Sequence, residues 1–195
     1  MKNVLNNTKK GILMVAMLAT VMSFANEIDG RDFKVTALTI NNVKEGNLLS
    51  IKDINGSIIY TETIEQSGSY TKGFDLTELP DGKYFFELIK DIEIKTIPFT
   101  VKSNIATFNK EKETIIFKPF VKTDNDLVYI TKLAPELEPL KINVYGLYSG
   151  GASELLFTET IKGKENIERV LKLDKGDYKI VFHSNNKTYT KYINN

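Results

Sequence analysis

The chain contains no cysteine, no tryptophan and one histidine, His183. Without cysteine there is no disulfide and no lipid-modified N-terminal cysteine, and a zinc site, which draws on clustered Cys and His, has no ligand set. With a single imidazole, a nucleophilic relay would have to assemble at His183 from Ser149, Ser153 or Ser184, and the chain has no G-x-S-x-G elbow. All four methionines, Met1, Met14, Met17 and Met22, sit at the start of the chain. No segment carries a helical apolar period, and no apolar run reaches the roughly twenty residues a membrane-spanning helix needs.

The first residues have the three parts of a secretory signal peptide: a cationic start (Lys2, Lys9, Lys10), an apolar run over residues 11–22, and a small-residue exit at Ser23-Phe24-Ala25. Ser23 and Ala25 occupy the −3 and −1 positions, so cleavage is expected between Ala25 and Asn26. A retained N-terminal anchor is the alternative, and the short apolar run speaks against it. Loss of residues 1–25 removes three lysines and leaves 23 basic against 25 acidic side chains, a formal charge of −2. That balance, with lysines and acids alternating along the chain, excludes a nucleic-acid binder and an anionic membrane surface. The expected location is beyond the inner membrane: periplasm, cell surface or extracellular.

From residue 26 onward the apolar residues recur at every second position, as in Tyr178, Ile180 and Phe182, and Val, Ile, Thr, Tyr and Phe dominate. This is a strand period. Asn55-Gly56, Asp81-Gly82, Gly150-Gly151 and Asn185-Asn186 fall between the runs and supply the left-handed backbone positions of tight turns. The runs occur twice. Thr61-Glu62-Thr63-Ile64 returns as Thr158-Glu159-Thr160-Ile161, 97 residues on, and Gly82-Lys83-Tyr84 returns as Gly176-Asp177-Tyr178, 94 residues on. Leu49-Ser50-Ile51 matches Ile142-Asn143-Val144 at a spacing of 93, so the second copy carries a longer turn near Ser149-Gly150-Gly151-Ala152. The expected fold is all-β, two tandem immunoglobulin-like sandwiches at residues 31–104 and 113–195, each with a core near the lower limit of self-sufficiency and therefore expected to pack on the other. The charged stretch 109–113 reads as a stiff hinge, and Pro98 and Pro119 are expected at edges or bulges.

Asn47-Leu48-Leu49-Ser50-Ile51-Lys52-Asp53-Ile54-Asn55-Gly56, Phe74-Asp75-Leu76, Leu79-Pro80-Asp81-Gly82-Lys83-Tyr84 and Phe99-Thr100-Val101 resemble the C-terminal sorting domain of the Bacteroidetes type IX secretion system. The second copy is similar but looser: it keeps Val170-Leu171-Lys172-Leu173, Gly176-Asp177-Tyr178 and Tyr189-Thr190-Lys191-Tyr192-Ile193, with Tyr145-Gly146 where the first has Lys52-Asp53. The resemblance implies an immunoglobulin-like sandwich and a small exported two-domain protein of flavobacterial type.

Few residues stand out as chemistry. Asp124-Asn125-Asp126, and Asp53 with Asn55 and Gly56, place oxygen ligands close together, but the spaced acids and closing Glu of a calcium loop are missing and turn chemistry is the expected role. Acids for a glycosidase pair are plentiful, and nothing singles out two. No catalytic residue, metal ligand or cofactor is therefore assigned. The leading expectation is a non-catalytic exported module acting by protein–protein contact, or as a structural element, with an envelope or secretion-system protein as partner. Its contact surface is the last strand, Lys187, Thr188, Tyr189, Thr190, Lys191, Tyr192 and Ile193, as an open sheet edge. One alternative makes the protein type IX cargo with residues 113–195 as the address. Another makes it a glycan-binding module using Tyr129, Tyr145, Tyr148, Phe157, Tyr189 and Tyr192, with core filling as the plainer role of these rings.

Overall fold

The computed structural model describes residues 35–195. The signal segment 1–25 and its Ala25/Asn26 cleavage point lie outside the described residues.

The alternating runs form strands throughout, and the sheets are antiparallel. In the first half, β1 (Val35–Val43) pairs with β4 (Gly68–Asp75). Facing them are β3 (Ile58–Thr63), β2 (Leu48–Asp53), β5 (Gly82–Ile89) and β6 (Glu93–Lys102), in that order. The second half repeats the plan. There β9 (Phe120–Asp124), β10 (Leu127–Leu133) and β13 (Asn166–Lys172) form one sheet, and β12 (Ser153–Ile161), β11 (Leu140–Leu147), β14 (Asp177–Ser184) and β15 (Lys187–Asn194) form the other. Each half is a sandwich with immunoglobulin-type strand order. Both lie within one compact unit, Phe33–Asn195.

The inward residues of each sheet pair make two separate cores. Leu38, Ile40 and Phe74 meet Leu49, Phe86 and Phe99 in the first, and Ile130 and Ile167 meet Ile142, Ile180 and Phe182 in the second. Each fully buried side chain of this size contributes about 1.5–3 kcal/mol by leaving water. The Gly-x-Tyr repeat has a structural cause. The hydroxyl of Tyr84 donates to the carbonyl of Pro80 at 2.8 Å, and that of Tyr178 to the carbonyl of Asp174 at 3.1 Å. These are tyrosine corners, which pin the entry into β5 and β14. Each ring lies over the glycine two residues before it: a Cβ on Gly82 would come within 3.2 Å of the Tyr84 ring, and Gly176 has φ +156°. The edge hairpins also repeat. A register shift falls between Ile51 and Lys52 against β3 and between Val144 and Tyr145 against β12.

The boundaries drawn from the repeat, 104 and 113, shift in the structure. Strand β7 (Ile105–Phe108) pairs with the last residues of β6, and β8 (Thr114–Phe117) pairs with the first, so both extend the β3–β2–β5–β6 sheet of the first sandwich. The reason is Pro98 in mid-β6. A proline cannot donate to a ladder. Here its open side faces the break between β7 and β8, bridged by the short turn Lys110–Lys112, while its carbonyl accepts from the Asn109 N–H at 3.0 Å. The charges of stretch 109–113 are partly spent on this splice, since Glu113 bonds to Lys95 on β6 at 2.7 Å. Pro119 sits between β8 and β9, outside any strand.

Candidate functional site

Strand β15 ends its sheet order, with β14 on one side only. The pleat divides its residues. Ile193 is buried in the second core and Tyr189 packs against it, while Thr190, Lys191 and Tyr192 are exposed, Tyr192 to 67 %. Thr188 shares a 3.1 Å hydrogen bond with Nδ1 of His183. Lys187 reaches the first sandwich, where its ammonium lies 2.9 Å from Glu87. The free part of this edge is therefore its later half, Thr190 to Tyr192.

Glu87 is the central group of that junction. It stands alone as an acid in the apolar run of β5, is buried on the outer face, and binds Lys52 at 2.5 Å as well as Lys187. Burial by itself would raise its pKa, but hydrogen bonds from Lys52 and Lys187 outweigh this and bring it below the ordinary glutamate value. An uncompensated carboxylate there would be costly, so the lysine pair fixes Glu87 as charged. The sequence reading missed Glu87, although a lone acid within Tyr84-Phe85-Phe86-Glu87-Leu88-Ile89 is a legible signal.

The outer face of the β11–β14–β15 sheet gathers part of the aromatic set. Leu155, Tyr145, Lys179 and Tyr192 stand opposite one another in successive strands, forming one row. The Lys179 ammonium lies 4.8 Å from the centre of the Tyr145 ring, a cation–π distance. Tyr148 projects at the end of the same sheet and donates to Glu154 at 3.3 Å. The other rings are elsewhere: Tyr129 is on the opposite sheet between Lys122 and Val170, Phe157 lies on β12 opposite Val144, and Tyr189 packs against the core.

The remaining candidates are engaged locally. Ser184 is buried with its hydroxyl 2.8 Å from the Pro139 carbonyl, while its neighbour His183 is exposed, so the two side chains have separate partners. Asp53 accepts the N–H groups of Asn55 and Ser57 at 2.9 and 2.8 Å, an Asx turn closed by Gly56 at φ +85°. The Ser57 backbone bond is the main cause of its lowered pKa. Asp124 takes the Asn125 amide at 3.1 Å, and Asp126 pairs with Lys172 at 3.1 Å.

Among the described residues no helix is long and apolar enough to cross a membrane. No curated protein matches the chain. Residues 33–102, the stretch that carries β1 to β6, match the model of the secretion system C-terminal sorting domain.

Proposed function

We propose that the protein is exported cargo of a type IX secretion system and a non-catalytic one, working by contact with an envelope or secretion-system protein. The family match over residues 33–102 carries the reading. It falls on the first repeat, where the sequence resemblance is also stronger, and not on residues 113–195, the address in the alternative reading, so we place the sorting-type role on the first sandwich. The second sandwich is then the contact module, through the exposed half of β15, whose backbone groups are open on one side. The test follows the full-length protein in its own host, with and without a working type IX system. Release to the surface or medium only when the system works supports the proposal. Periplasmic retention in both hosts refutes it.

A glycan-binding reading is favoured by one observation, the row Leu155, Tyr145, Lys179 and Tyr192, which offers rings and a cation on an open face. It requires retention on a polysaccharide column that is lost in a Tyr145→Ala, Tyr192→Ala double variant.

A further inference from the structure

The outer face of a sandwich sheet is ordinarily polar, because only the inner face is covered. The β9–β10–β13 sheet departs from this. Ile130 and Lys132 point into the second core, so Thr131 and Leu133 point outward, and the register sets Phe120 and Glu168 beside Thr131 and Asn166 beside Leu133. Phe120 is 53 % exposed and Leu133 48 %. Above them lie Ile92, from the turn between β5 and β6, and Phe117 of β8. The Lys118 N–H donates to the Ile92 carbonyl at 2.8 Å and fixes this roof. The hollow is open on one side and has mainly apolar walls and a volume of about 370 Å³. That lies within the range of roughly 300–1,000 Å³ typical of small-molecule sites.

Two lysines line the hollow, and of these Lys132 is already paired, its ammonium 2.9 Å from Glu138. Lys118 is half-buried, and among the described residues its ammonium makes no ion pair or side-chain hydrogen bond. Burial draws its pKa below the ordinary lysine value, and the opposing pull of Asp91 acts from a carboxylate already bonded to Lys44 at 3.1 Å. A desolvated cation without a bonded counter-charge gains most from an anion brought beside it. Glu168 also lines the hollow but is exposed, so water and salt screen its repulsion.

We propose that this hollow binds a small amphipathic carboxylate, its apolar chain against Phe120, Leu133 and Ile92 and its head group on Lys118. The site is independent of the export reading, since none of its residues except Ile92 falls within the stretch that matches the family. Decanoate is the probe, titrated below its micelle concentration and followed by the methyl resonances of Ile92 and Leu133, with decanol as the uncharged control. Saturable shifts at both methyls are expected. Lys118→Gln weakens decanoate at least about tenfold, the loss of one charge-assisted contact, and leaves decanol unchanged. Leu133→Trp, which fills the hollow from an exposed position, blocks both probes, and unaltered thermal unfolding of the two variants shows that they are folded. Absence of saturation, decanol binding as tightly as decanoate, or Lys118→Gln without effect overturns the assignment.

Discussion

Where Ile40 fills the first core, the second sandwich has Lys132. The two positions correspond because Ile40 faces Tyr70 and Lys132 faces Ile167, residues 97 apart in the repeat. The Lys132 side chain is fully buried, with its ammonium 2.9 Å from Glu138 in the loop after β10 and 3.0 Å from the Leu133 carbonyl. The first core is instead built from rings: Phe86 meets Phe74 at 5.1 Å and Phe99 at 5.3 Å, and Tyr84 stacks on Phe99 at 5.5 Å. Among the described residues every such ring pair lies in the first sandwich; the second is filled by Ile, Val and Leu with Phe182. Yet the order β3-β2-β5-β6 and its counterpart β12-β11-β14-β15, the register shift at the edge hairpin and the tyrosine corner are the same in both. The framework of this fold is therefore set by turns, corners and alternation, while the core filling can change from aromatic to aliphatic and even admit an ion pair.

An ion pair also closes the open side of each sandwich. Lys72 binds Glu62 in the first, and Arg169 binds Glu159 at the matching positions in the second. The first adds the hydroxyls of Tyr60 and Tyr70 to Glu62, and the second has Phe157 and Ile167 in their places. Lys72 is pushed up to about 12 by its bond to Glu62.

The largest difference between the halves should come from the buried pair. Glu138→Ala strands the Lys132 ammonium and should cost about 3–5 kcal/mol in urea unfolding. The double variant Lys132→Ile, Glu138→Gln copies the first core and should restore wild-type stability or exceed it. A double variant as unstable as the single would show that the two cores are not interchangeable at this site.

Smaller effects are expected at the corners. Tyr84→Phe and Tyr178→Phe each remove one hydrogen bond, worth about 0.5–1.5 kcal/mol. The Tyr84 change should cost more, because that bond is shorter and better shielded from water. Equal denaturation midpoints for the two variants would remove this distinction.

The smallest difference is expected in acid. Burial raises the pKa of Glu62, but hydrogen bonds from Lys72, Tyr60 and Tyr70 outweigh it and leave the group below the ordinary value of 4.5. A carboxylate lowered by folding contributes stability above its unfolded pKa and loses it as pH falls through the folded one. The first sandwich, followed by the near-ultraviolet dichroism of its rings, should therefore lose stability below about pH 4.5. Glu62→Gln should make that limb shallower. An unchanged slope in the variant would mean that other carboxylates set the acid limit.

Much of this was legible in the chain. Alternation gave the strands, and the turn dipeptides gave most of the hairpins, because a left-handed backbone restricts residue choice so strongly. The Gly-x-Tyr repeat was visible as a pattern, although its cause, a ring laid over a glycine with its hydroxyl on a carbonyl four residues back, was not. The seven residues of the last strand were legible as a strand; their division into buried, junction-bound and exposed members was not. Lys132 was invisible, since a lysine in an alternating run looks like a solvated one unless the loop carrying Glu138 is known to fold over it.

The sequence by itself determined the period, the turns, the doubling of the unit and the absence of thiol chemistry, all of which depend on neighbours within a few residues or on composition. Only the tertiary structure decided that β7 and β8 share β6, that Glu87 links Lys52 to Lys187, and that Lys118 stands over an apolar floor. Those contacts join residues as many as 100 positions apart. Their partners are chosen by how the sheets pack, and no local pattern encodes that choice.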